Sequence, residues 1–198
     1  MKLLRVESLI ETGSFPLSLQ YKEILFDIQT AIRQVVWPPE SESFTIYPER
    51  RGNGVRPIKQ NCMAYLLSKG WRMETRLNIA TRIKPGPIDA VTTIEGYGDF
   101  ALEWETGNVS SSHRSLDKMA IGLLEKSLIG GILVVPSRSF YRFLTDRIGN
   151  FSEIEPYFTL YKGLNVPEGV LAVIEIEHDR ESTSVPHIPK GTDGRARR

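Results

Sequence analysis

Three acids carry the chemistry this chain could perform. Asp89 is followed, after thirteen residues, by Glu103-Trp104-Glu105. Two glutamates at i and i+2 on a strand project from the same face, and a hairpin partner would set Asp89 beside them. Three carboxylates gathered in one place repel one another and are costly to desolvate unless a cation neutralises them. Magnesium suits such a set, because it takes one or two carboxylates, several waters and the oxygens of a phosphate substrate. The reaction that follows is attack of a metal-bound water on phosphorus, with a neighbouring carboxylate or lysine orienting or deprotonating that water. The plainer reading is an edge hairpin whose exposed face carries ordinary acids.

The elements needed to position these residues are legible around them. Residues 88–105 (IDAVTTIEGYGDFALEWE) predict two strands joined by a turn near Glu95-Gly96-Tyr97-Gly98. On the second strand Phe100, Leu102 and Trp104 share one face, and Ala101, Glu103 and Glu105 share the other. Ser110 to Ser112 offer a cap for a helix running to about Ile129, with Leu116, Met119, Ala120, Leu123 and Leu124 on one side. Ile132–Val135 (ILVV) has the fully apolar character of a central strand. A helix is expected over Arg138–Ile148 and a late strand over Val170–Glu177. Upstream, apolar residues at helical spacing between Ser18 and Val36 predict a one-faced helix that ends before Trp37-Pro38-Pro39. Arg50–Pro57 (RRGNGVRP) reads as a loop, and Ile58–Lys69 as a second helix closed by Gly70. The order of elements implies an α/β fold with a mixed β-sheet flanked by helices. One domain is expected over residues 1–183, with a disordered basic tail over 184–198.

Charge is distributed in a way that the net value of +1 conceals. Residues 50–84 hold nine Lys or Arg and one acid, Glu74; residues 85–105 hold five acids and no Lys or Arg. A basic stretch that could hold phosphates therefore runs into an acidic one that could hold a hard cation. Arg50, Arg51 and Arg56 in the glycine-containing loop are candidate phosphate contacts, and Asn53 could reach a base edge. His113 and Arg114 could contact phosphate at a helix start. Glu74 could be a supplementary metal or water contact, or a simple ion-pair partner of Arg72 or Arg76. The single cysteine, Cys62, excludes an internal disulfide framework and a cysteine-based zinc site, and three scattered histidines offer no His-based one. Neither a signal peptide nor a membrane span is legible, so a cytoplasmic protein is expected.

The segments PIDAV and ALEWETGN resemble the PD-(D/E)XK nuclease superfamily, and within it the BamHI/BglII-like type II restriction endonucleases. The similarity extends loosely from Lys69-Gly70-Trp71 to about Asn150. In that superfamily an Asp on one strand and an acid-x-Lys on the next bind the metal. Here Glu105 stands where Lys is usual, as in the Glu-x-Glu of the BamHI-like branch, whereas the BglII type carries Gln there. The resemblance implies that Asp89, Glu103 and the backbone carbonyl of Trp104 ligate Mg2+, and that Glu105 holds or deprotonates the attacking water. It makes Lys118 a possible substitute for the missing lysine, since in some members that residue migrates to the following helix; a surface lysine is the alternative. It further implies cleavage of double-stranded DNA at a short, palindromic site, 5′-phosphate ends, a bacterial host and a homodimer. Helices Ser112–Ile129 and Arg138–Ile148 are the candidate dimer surfaces, though their apolar stripes are equally explained by packing on the sheet. Three other readings stay open: a structure-specific repair or defence nuclease, a non-catalytic DNA-binding module, and a carboxylate-pair hydrolase acting on a sugar.

Overall fold

The computed structural model describes residues 1–55, 57–79, 86–105, 107–145 and 148–190. In chain order the elements are β1 (Lys2–Thr12), α1 (Leu19–Arg33), β2 (Thr45–Ile46), α2 (Gln60–Ser68), β3 (Arg72–Thr75), β4 (Ile88–Ile94) and β5 (Gly98–Trp104). They continue with α3 (Val109–Leu124), β6 (Gly130–Pro136), α4 (Arg138–Tyr141), α5 (Phe151–Ile154), α6 (Phe158–Lys162), β7 (Gly169–Glu177) and β8 (Arg180–Glu181). Six strands form one sheet in the order β1-β7-β6-β5-β4-β3. The middle of it, β5-β6-β7, is parallel, and antiparallel pairs flank it at β1-β7, β4-β5 and β3-β4. This is the mixed α/β sheet expected from the sequence.

Central β6 (GGILVVP) is buried along its whole length, because both faces of the sheet are covered. On one face, Ile24, Ile28 and Ile32 of α1 and Cys62 and Leu66 of α2 pack with Phe100, Leu102 and Trp104. On the other, Leu116, Met119 and Leu123 of α3 and the segment from Phe151 to Tyr161 pack with Ala101, Leu133 and Val135. Gly131 lies under Met119, and a Cβ there would collide with its sulfur, so this glycine lets α3 sit close to the sheet.

Three expectations are corrected. The predicted helix over Arg138–Ile148 is a single turn, Arg138–Tyr141. The chain leaves it to pair with the basic loop: Arg51 and Asn53 N–H groups donate to the Arg142 and Phe143 carbonyls, and Thr145 N–H donates to Asn53 O at 2.7 Å. Residues 184–190 of the expected tail are docked on the domain. Ile188 is buried, its N–H donates to Asn53 Oδ1, and Trp37 Nε1 donates to the Pro186 carbonyl. The serines do not cap α3: Asn108 does, accepting from Ser111 N–H at 3.2 Å. Strand β1 and the short helices over 151–162 have no counterpart in the sequence reading.

Candidate active site at the ends of two inner strands

The β4-β5 hairpin turns at 95–97 and sets Ala90 opposite Leu102, which brings Asp89 level with Glu103 where β4 begins and β5 ends. The Asp89 N–H donates to Glu103 Oε2 at 3.3 Å. Asp89 Oδ2 accepts from the Trp104 N–H at 2.8 Å. The two acids therefore do stand side by side, each fixed by the other's strand.

A lysine approaches each acid from an opposite side of the sheet. Lys59, the residue that precedes α2, places Nζ 2.5 Å from Asp89 Oδ1. Lys118, on α3, pairs with Glu103 Oε1 and lies 3.4 and 3.5 Å from the Gly86 and Pro87 carbonyls. Lys118 is thus part of the site and not a solvated surface residue. Lys59 was missed, because no sequence spacing ties position 59 to position 89; its place at the start of a helix within the basic stretch was the one available signal.

Glu103 is only 7% exposed. Burial pushes its carboxyl above the ordinary range, and the pairing with Lys118 offsets that in part. A buried acid held by one ammonium and one backbone N–H has few donors for its charged form. Nearby charge of the opposite sign, such as a cation, is what this arrangement favours.

Glu74 joins the site from β3, the edge strand beside β4. Its Oε1 lies 4.0 Å from Lys59 Nζ, and its backbone sits at φ 47°, in the left-handed region that a non-glycine residue adopts at a cost of about 1 kcal/mol. Arg72, offered as its ion-pair partner, instead bonds Thr93 and Asp99.

Glu105 stands apart from this pair. It is 6% exposed and accepts from the Gly107 N–H at 2.5 Å and from the Ser112 hydroxyl, so it bridges the end of β5 to the first turns of α3. Among the described residues no three His, Cys, Asp or Glu side chains converge closely enough to hold a metal. The donor chemistry of Asp89 and Glu103 nonetheless fits a hard divalent cation, for which two adjacent carboxylates and phosphate or water oxygens suffice.

The residues expected to touch DNA differ in where they lie. Arg50 and Arg51 lie exposed on the loop, and Arg114 is exposed with its guanidinium on Ser111 Oγ at 3.0 Å. Arg56 lies outside the described residues. Asn53 is fully buried: its amide donates to the Tyr47 and Phe143 carbonyls and its oxygen accepts from Ile188 N–H. It holds the loop to the domain and has no atom left for a base. His113 turns its ring edge-on to Tyr157, with centroids 4.6 Å apart, and so packs toward the 151–162 segment.

A family model described as restriction endonuclease BamHI matches residues 1–195. The chain belongs to the BamHI family of restriction endonucleases. It is 53% identical over 196 residues to the type II restriction enzyme OkrAI of Oceanobacter kriegii, covering 99% of each chain. It is 36% identical over 179 residues to the type II restriction enzyme BamHI of Bacillus amyloliquefaciens, covering 87% of this chain and 82% of that one. A crystal structure of restriction endonuclease BglII complexed with a DNA 16-mer superposes with a TM-score of 0.60 at 10% identity, over 90% of this chain and 79% of that one. That last likeness speaks to the fold. Membership in the BamHI family establishes a type II, site-specific restriction endonuclease and sets aside the sugar hydrolase and the non-catalytic module. No helix among the described residues is long and apolar enough to cross a membrane.

Proposed function

We propose that Asp89 and Glu103 hold Mg2+ together with the backbone carbonyl of Trp104, and that the enzyme hydrolyses both strands of duplex DNA at a short palindromic site, leaving 5′-phosphates, in a bacterial cytoplasm. The observation that carries this reading is the pair itself: two adjacent, largely buried acids at the ends of two inner strands, each held by a lysine from a different layer. The metal would supply Lewis-acid stabilisation of charge at phosphorus and a bound water of lowered pKa.

The chain's own groups then have distinct tasks. Asp89, pinned by the Trp104 N–H, fixes the strand end from which that residue's carbonyl projects. Glu105 fixes the start of α3 through Ser112; its role in orienting or deprotonating the attacking water requires that it also reach solvent beside the bound phosphate. Glu74, held in a left-handed conformation, is placed to add a water or metal contact. Arg50, Arg51 and Arg114 hold backbone phosphates and position the duplex.

A homodimer would let each subunit cut one strand. The surface we assign to it is α3 with residues 151–162, where Tyr157 and Leu160 are 48% and 68% exposed and Leu124 is 47% exposed. The one-turn α4 is too short to provide the second helix originally expected there. Sedimentation of Leu160→Glu tests this surface: the variant should be monomeric where the parent is dimeric, and an unchanged dimer would place the interface elsewhere. The site assignment is tested by digesting unmethylated plasmid with Mg2+ or with EDTA. Discrete Mg2+-dependent fragments, absent with Glu103→Gln, support it; fragments made in EDTA overturn it.

A further inference from the structure

Asp89 and Glu103 bring two negative charges to the site where β4 begins and β5 ends, and Lys59 and Lys118 bring two positive ones. Both ammonium groups are largely screened from solvent, with side chains 20% and 13% exposed. Each of the two acids is therefore already paired with a lysine, and Glu74 adds an exposed acid 4.0 Å from Lys59. A divalent cation added without displacing a lysine would leave two uncompensated positive charges among buried groups, a costly arrangement where the local dielectric is low.

We propose that Lys59 and Lys118 are resident counter-ions of the metal site, positioning residues whose ammonium groups must be displaced before a divalent cation binds. This rests on the reading of Asp89 and Glu103 as metal ligands. The consequence is an enzyme that loads metal poorly by itself. Incoming DNA phosphates give the displaced ammonium groups a new partner and give the cation further oxygen ligands, so cation and substrate enter together. Lys59 is the more readily displaced of the two, since it leads α2 on a flexible stem and has Glu74 at 4.0 Å as an alternative partner. Lys118 is held more tightly, with two backbone carbonyls beside its carboxylate.

The test is Mn2+ binding by the DNA-free protein, read from the electron paramagnetic resonance signal of free Mn2+. Lys59→Gln should bind Mn2+ about tenfold more tightly than the parent, and Lys118→Gln should also bind more tightly. Lys59→Arg, which keeps the charge, should match the parent. A merely structural lysine would leave the affinity unchanged or weaken it when removed. Asp89→Asn separates the two levels of the argument. If it abolishes binding while both glutamine variants bind no better than the parent, the counter-ion inference fails and the metal site stands. If binding is the same in Asp89→Asn as in the parent, the metal-site reading fails as well. Thermal melting of each variant accompanies the titration, and the Lys118→Gln result decides should Lys59→Gln not fold.

Discussion

Glu103 and Glu177 sit near the C-terminal ends of two strands of the same parallel block, both largely buried, and their carboxyl groups are driven in opposite directions. Burial raises both. At Glu103 burial wins, because one lysine and one backbone N–H are all that oppose it. At Glu177 burial is outweighed by His178, the hydroxyls of Ser137 and Ser139 and the His178 N–H, which hold the carboxyl down at about 2. Glu103 is the more deeply buried of the two, has fewer donors and has the negative charge of Asp89 beside it, and together these separate it from the well-satisfied carboxylate of Glu177. Glu177 is a fastener between β7 and the first turn of α4. Glu103 is the acid that we propose as a metal ligand.

The largest expected effect that could break this contrast is on catalysis. Glu103→Gln and Asp89→Asn should each lower Mg2+-dependent cleavage on the order of a thousandfold or more, whereas Glu177→Gln at neutral pH should leave cleavage within a few-fold. Comparable losses in all three, measured by single-turnover cleavage of a cognate duplex, would mean that the contrast does not mark function.

Stability is the next lever, at a site that the contrast assigns wholly to structure. Asn53→Ala removes three hydrogen bonds, two of them buried, and should cost roughly 3 kcal/mol in urea denaturation. Its effect on DNA affinity should be no greater than the fraction unfolded explains.

The pH dependence of folding sharpens the comparison further. Glu177 has an ordinary value of 4.5 and a folded value of about 2. Its contribution is therefore complete above about pH 4.5 and is lost as pH falls toward 2. It should amount to about 3 kcal/mol, and Glu177→Gln should flatten the acid limb of the stability curve over that window. An unchanged acid limb would remove the fastener role.

Glu105 provides the smallest and most discriminating case, because it stands between the two types. It has the hydroxyl and backbone donors of a fastener and the sequence position of a catalytic acid. Ser112→Ala should cost about 1 kcal/mol of stability and reduce cleavage modestly by loosening Glu105. Unaltered melting and unaltered cleavage would show that the Ser112 contact serves neither purpose.

Much of this was legible in the sequence because strong periodicity and turn chemistry coincide with the site. The alternation through Phe100–Glu105 and the glycines at 96 and 98 located the hairpin, and the hairpin register placed Asp89 against Glu103. Strand β1 was invisible for a physical reason: its register against β7 shifts between Leu3 and Arg5 and again between Ser8 and Ile10, which breaks the two-residue alternation. The helix expected over 138–148 was outcompeted by backbone pairing between Asn53 and Leu144, a long-range contact that no local pattern reports. Lys59 was hidden in the same way, since only the tertiary fold sets the start of α2 beside the start of β4. The basic loop was read correctly as loop, but the short side chain of Asn53 turned inward, toward the 184–190 segment whose docking its polar composition disguised.

The most direct test of the central claim is digestion of unmethylated plasmid DNA by the parent protein, Asp89→Asn and Glu177→Gln side by side, with Mg2+ and with EDTA. Discrete fragments from the parent and Glu177→Gln with Mg2+ alone, and intact DNA with Asp89→Asn, are the predicted result. Fragments from Asp89→Asn at the parent's rate, or from any of the three in EDTA, would contradict it.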